Sequence, residues 1–167
     1  CPNTDAARDL FAHSATATRD VMAATQACGR PRWAKLSPNV TDLVPIAEAA
    51  REGGAEAVTL VNTVLAMAID PETGHYRLGS GSRGGGLSGP AIHPIAVRAV
   101  HDVHSALPDL PIIGVGGVAT GEDAAELLVA GASAVQVGTA TFADPRAPAR
   151  VLRELGAWVD RTGRTPI

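Results

Sequence analysis

Two stretches of this chain repeat one layout, and that repeat restricts the fold more than any other feature. Residues 31–58 and 111–135 each run proline, apolar strand, polar turn, capped helix, and then Gly-Ala-x-Ala-Val. The closing motif is Gly54-Ala55-Glu56-Ala57-Val58 in the first unit and Gly131-Ala132-Ser133-Ala134-Val135 in the second. Alternating strand and helix units imply a parallel sheet with right-handed crossovers. Four such strands are expected, at 32–37, 57–61, from Pro111 to the glycines, and at 134–137. They end in Lys35, Asn62-Thr63, Gly116-Gly117 and Gly138-Thr139. Polar and glycine residues at strand C-termini fit both a (β/α)8 barrel and a doubly wound sheet.

The rest of the chain supplies the crossovers. Ser14 can cap a helix over 15–28, with Val21, Met22 and Thr25 on one side, and Gly29-Arg30-Pro31 ends it. Thr41 is placed to cap a helix reaching Arg51, whose Leu43, Ile46, Ala47 and Ala50 keep the i, i+3, i+4, i+7 spacing. Residues 66–78 have hairpin character, with a turn near Pro71-Glu72-Thr73-Gly74. A glycine-rich loop follows over 79–89, and helices are expected over 94–107, from Thr120 to Val129, and over 145–159. The 167 residues suffice for one domain with a core, and a net charge of −3 gives no electrostatic case for nucleic acid or an anionic membrane. No apolar run approaches the ~18 residues of a membrane span, and two cysteines make no disulfide framework, so a reducing cytoplasm is the default compartment.

The stretch Ile112-Ile113-Gly114-Val115-Gly116-Gly117-Val118-Ala119-Thr120-Gly121-Glu122-Asp123 offers bare backbone N–H groups and a helix start, a junction suited to phosphate. Thr120 and Asp123 are spaced as a capping box. Gly114-x-Gly116-x-x-Ala119 formally matches the dinucleotide fingerprint, which also asks for an acidic residue ~20 positions on. The next strand instead ends at Gly138-Thr139. A phosphate site on the loops after the last two strands of a barrel accounts for both ends. Four strands are half a barrel, and Cys1-Pro2-Asn3-Thr4 reads as a turn, so an upstream segment is expected.

Cys1 would stand at the end of a strand, where a thiol acts as base or nucleophile; an ordinary turn cysteine is the alternative. Lys35 follows Trp33-Ala34 near a strand's C-terminal end, where its choices are an ion pair, an anionic ligand or an electron-rich ring. Asn62 and Thr63 end a strand with side chains that need partners if buried. The 79–89 loop is either a linker or a backbone cradle, and Gly86-Leu87-Ser88-Gly89-Pro90 before a helix favours the cradle. Cys28, Trp33 and Trp158 read as packing residues, His101 and His104 as a solvated helix face, and His13, His75 and His93 as loop or junction residues without a partner.

Together these motifs resemble class 1 dihydroorotate dehydrogenase over nearly the whole chain. The resemblance rests on Cys1-Pro2-Asn3, Lys35-Leu36-Ser37-Pro38-Asn39-Val40-Thr41-Asp42, Val61-Asn62-Thr63, Gly86-Leu87-Ser88-Gly89-Pro90, Gly114-Val115-Gly116-Gly117-Val118 and Gly138-Thr139-Ala140. It implies an α/β fold: the C-terminal half of a TIM (β/α)8 barrel, strands 5 to 8 with a small hairpin insertion, making residues 1–167 part of one FMN-binding domain. The implied activity is oxidation of (S)-dihydroorotate to orotate with FMN in pyrimidine biosynthesis. Cys1 would be the base that removes the C5 proton. Asn3, Asn62 and Thr63 would hold the pyrimidine ring. Lys35 would lie near the N1/O2 edge of the flavin, and Gly89, Gly116, Gly117, Gly138 and Thr139 would surround its phosphate. Residues 4–13 would form a mobile lid.

The run from Lys35 to Asp42 and the segment from Asn62 to Asp70 look most like the NAD-linked type 1B. That type passes electrons to a partner subunit carrying FAD and a [2Fe–2S] cluster, whereas type 1A uses fumarate. This chain has no cysteine set for a cluster. The resemblance also implies a homodimer. Two rival readings remain: a dihydropyrimidine dehydrogenase domain, against which Asn3 argues, and a catalytically silent phosphate-binding half barrel.

Overall fold

The alternation becomes a run of short elements in the computed structural model, which describes residues 11–79 and 84–164. In chain order these are α1 (Ala15–Ala24), β1 (Trp33–Leu36), α2 (Val44–Glu52), β2 (Ala57–Leu60), β3 (Val64–Ala66), β4 (Gly85–Leu87), α3 (His93–Ala106), β5 (Ile112–Val115), α4 (Gly121–Val129), β6 (Ala134–Gln136), α5 (Ala140–Ala143) and α6 (Ala147–Thr162). Strands β1, β2, β5 and β6 form one parallel sheet in that order, and β3 pairs with β4 antiparallel.

The two repeated units close by the same turn. Gly54 N–H donates to Arg51 O at 2.9 Å and Ala55 N–H to Ala50 O at 2.9 Å; Gly131 N–H donates to Leu128 O and Ala132 N–H to Leu127 O, both at 3.0 Å. This is the hydrogen-bond pattern of a Schellman-type helix end, which places glycine in the left-handed region. Gly54 and Gly131 both have positive φ, at 91° and 115°. The alanine after each glycine is buried, and the chain enters the next strand.

Register assigns the faces. Ala34, Leu36, Val58, Leu60 and Ile112 are buried on the side that the helices cover. Against them pack Ile46, Ala47 and Ala50 of α2, Ala96, Val100 and Val103 of α3, and Leu127 of α4. On the other face the partners Lys35↔Thr59↔Ile113 run across the sheet, with Trp33 and Lys35 exposed on its first strand and Ala134 and Gln136 on its last. This alternation corrects the reading of Trp33 as a packing residue. Ala34 and Leu36 take the helix side, so Trp33 is 59% exposed. Trp158 is half-buried.

Other boundaries shift for local reasons. Ser14 caps α1 as expected, its hydroxyl accepting from Ala17 N–H, but the α-helix stops at Ala24 and a 3-10 turn over Gln26–Cys28 follows. Cys28 is thereby exposed rather than packed. Of the three residues read on one side, Met22 is buried together with Thr18, while Val21 and Thr25 are exposed. Thr41 does not cap α2; Asp42 Oδ1 accepts from Val44 N–H at 3.0 Å. The hairpin turn near 71–74 is present, with Ile69 bridging Tyr76 and Asp70 accepting from Glu72 and Thr73 N–H. Its ladder resumes at β3–β4, so part of the glycine-rich loop is strand. Gly86 is bare because a Cβ there would lie 2.3 Å from Thr63 Oγ1. The Thr120–Asp123 capping box forms as read. No helix among the described residues is long and apolar enough to cross a membrane.

Candidate functional site

A parallel sheet brings every strand's C-terminal end to one rim, and a cavity of about 440 Å³ opens there. Lys35, Asn62, Thr63, Gly89, Gly116, Gly117, Gly138 and Thr139 all line it. These eight residues come from four strand ends and the turn before α3. Cys1 and Asn3, and most of the expected lid over 4–13, lie outside the described residues.

One side of the cavity is polar. Lys35 Nζ donates to Asn62 Oδ1 at 2.7 Å. Although Lys35 is exposed as a residue, partial burial of its amino group lowers its pKa from the usual 10.5. Asn39 braces this side. Its Nδ2 donates to Thr63 O at 3.0 Å and to Ser37 Oγ at 2.9 Å, and its Oδ1 accepts from Leu65 N–H at 2.8 Å. The turn after β1 is thereby tied to the segment that carries Asn62 and Thr63.

The opposite side is backbone. Gly116 and Gly117 have φ of 140° and 70°. A Cβ on Gly117 would lie 2.7 Å from His93 Cβ and 2.8 Å from Gly89 O, so only glycine fits. Among the described residues the N–H groups of Gly117 and Gly138 find no hydrogen-bond acceptor. The capping box turns α4 away from this demand. Thr120 Oγ1 accepts from Asp123 N–H, and Asp123 Oδ2 accepts from Ala119 and Thr120 N–H at 2.9 and 2.8 Å. Burial alone would raise the Asp123 pKa, but those backbone donors and the Thr120 hydroxyl outweigh it and hold the carboxyl below its ordinary 3.8. A second cavity of about 300 Å³ shares Gly89, Gly117 and Thr139 with the first. Arg150 lines it and donates to Ala119 O at 2.9 Å.

Chemically, the site pairs a cation and two amide-bearing or hydroxyl-bearing side chains with a cradle of bare N–H groups. That combination suits an elongated polar ligand with an anionic end. The sequence assigns no role to Asn39 or His93. His93 is buried and bonded to Gly116 O and Glu126, contrary to its reading as a residue without a partner. His101 is exposed, as read. His104 is half-buried, and its ring stands where a Gly131 Cβ would point. No group of metal-ligating side chains forms among the described residues.

A parallel α/β sheet with a glycine-lined rim at its strand C-termini belongs to the class of ligand-binding α/β folds, and comparison with known proteins narrows it. The family model described as dihydroorotate dehydrogenase matches residues 1–159. The chain belongs to the dihydroorotate dehydrogenase family. It is 52% identical over 98% of its length to a Solibacter usitatus protein provisionally named dihydroorotate dehydrogenase A (fumarate), of which it covers 53%. It is 48% identical over its whole length to dihydroorotate dehydrogenase A (fumarate) of Lactiplantibacillus plantarum, covering 54%. It is 45% identical over 96% of its length to the catalytic subunit of dihydroorotate dehydrogenase B (NAD(+)) of Alkaliphilus metalliredigens, covering 53%. The crystal structure of the Eimeria tenella enzyme with ferulenol superposes with a TM-score of 0.79 at 28% identity, over 97% of this chain and 48% of that one. The chain therefore spans about half the length of the curated relatives it matches. Relatives of the fumarate and NAD types both match, so the NAD-linked type is not singled out.

Proposed function

We propose that residues 1–167 are the C-terminal half of an FMN-binding (β/α)8 barrel. The strands β1, β2, β5 and β6 correspond to barrel strands 5 to 8, and β3–β4 is the hairpin insertion. The whole protein oxidises (S)-dihydroorotate to orotate in cytoplasmic pyrimidine biosynthesis. The observation that carries this reading is the convergence of eight motif residues on one cavity. The residues present fit FMN. Gly117 and Gly138 offer N–H groups with no acceptor among the described residues, and the Gly116-Gly117 turn leaves no room for a Cβ on its second residue. Gly89, Gly116, Gly117, Gly138 and Thr139 would hold the phosphate, and Lys35 the electron-rich ring edge.

Bound FMN supplies a two-electron acceptor for the hydride that leaves C6 of the substrate. The chain supplies the rest. Cys1 takes the C5 proton as base. Asn3, Asn62 and Thr63 hydrogen-bond the pyrimidine ring and orient it. The bond from Lys35 to Asn62 couples the cation to the substrate side of the cavity, so one contact aligns both halves of the site. The whole protein is read as a homodimer. Where the acceptor is NAD, a partner subunit carries FAD and a [2Fe–2S] cluster.

The test is orotate formation by the whole protein from dihydroorotate, with dihydrouracil and dihydrothymine as comparison substrates, in wild type and Cys1→Ala. The expected variant stays yellow and loses most turnover near neutral pH. Full activity in Cys1→Ala would remove the base assignment, and oxidation of dihydrouracil alone would overturn the substrate.

A further inference from the structure

His93 opens α3 and is 8% exposed. Its Nδ1 lies 2.8 Å from Gly116 O, and its Nε2 lies 3.2 Å from Glu126 Oε2 and 3.9 Å from Asp123 Oδ1. A carbonyl oxygen only accepts, so Nδ1 carries the hydrogen of the first bond. Glu126 and Asp123 both belong to α4, so the ring joins three elements: the start of α3, the turn after β5, and α4.

The Gly116 carbonyl and the Gly117 N–H belong to one peptide unit. In a planar trans peptide they point in opposite directions. Holding Gly116 O against His93 therefore directs Gly117 N–H away from the imidazole. That N–H finds no acceptor among the described residues, and Gly117 lines the cavity. A peptide flanked by two glycines has few steric barriers to turning over, because neither residue is confined to one sign of φ. Something outside the turn must hold it.

We infer that His93 is a positioning residue that latches the Gly116–Gly117 peptide, keeping the Gly117 N–H presented to the phosphate of FMN. The inference rests on the FMN reading above and adds a residue that does not line the cavity. Glu126 completes the device by fixing the far end of the imidazole.

The test compares FMN with riboflavin, which lacks the phosphate, by equilibrium titration of the full chain. Melting curves for each variant report folding. His93→Gln reaches toward Glu126 but loses donation to Gly116 O, whereas His93→Asn keeps a donor near Nδ1. Wild type is expected to prefer FMN. Loss of one buried hydrogen bond predicts an about tenfold weaker FMN affinity in His93→Gln, with riboflavin affinity unchanged. His93→Asn is expected to restore FMN affinity to within about threefold of wild type. A His93→Gln variant that keeps the wild-type preference overturns the latch. So does a parallel loss of FMN and riboflavin, or, should His93→Gln not fold, a folded His93→Asn that loses the preference. A wild type that binds riboflavin as tightly as FMN removes the phosphate reading itself, and the latch with it.

Discussion

The two repeated units share a layout and diverge at the rim. After β1, the chain presents side chains: Lys35 bonded to Asn62, and Asn39 bracing the turn through Ser37, Thr63 and Leu65. After β5, it presents backbone: Gly116 and Gly117 at positive φ, with no side chain to intervene. The helix starts differ in the same way. Asp42 satisfies one N–H of α2, whereas α4 carries a full capping box in which Asp123 accepts from Thr120 N–H, and from Ala119 N–H besides. One βα frame thus presents either side chains or bare backbone at the end of its strand.

Breaking the backbone unit is expected to have the largest effect. Gly117→Val forces a branched side chain to φ of 70° and into His93 and Gly89. The cost is on the order of 3 kcal/mol, a fall of about 6–12 °C in the melting midpoint, together with loss of bound flavin. Gly138→Ala is the control, because its Cβ meets nothing within 4 Å and the midpoint should not move. In the side-chain unit, Lys35→Met keeps the stem and removes the charge. Turnover should fall about 100-fold with flavin content unchanged, if the cation acts on developing charge. Loss of flavin with no change in turnover per bound flavin would make Lys35 a cofactor anchor instead.

The smallest effect is on acid stability. The Asp123 carboxyl sits below its ordinary 3.8, so it contributes stability that is complete above that value and is lost as pH falls through the lower folded value. Protection of the Ala119 and Thr120 amides from hydrogen exchange, relative to their intrinsic rates, should fall below about pH 4, and Asp123→Asn should abolish that acid step. An acid step that persists in Asp123→Asn would belong to another carboxylate.

The same contrast separates what the sequence reveals from what only the fold brings together. The strands and the Thr120–Asp123 box depend on neighbours within four residues, and the residues at the strand ends converge because parallel pairing leaves them no other place. Lys35, Asn62, Gly116 and Gly138 were legible for that reason. Contacts that join distant segments were not. His93 meets Gly116 across 23 positions and Glu126 across 33, and Asn39 meets Leu65 across 26. No periodicity announces such pairs. Trp33 was misplaced because apolarity alone does not say which face of an exposed-edge strand a ring will take. Cys28 was misplaced because a helix that yields to a 3-10 turn changes the direction of its last side chains.

The decisive measurement is a crystal structure of the full chain with FMN. Phosphate oxygens are expected about 3 Å from the backbone nitrogens of Gly117 and Gly138, with the flavin ring extending toward Lys35. A phosphate seated on Lys35, with the glycine turn left without a ligand, would overturn that placement.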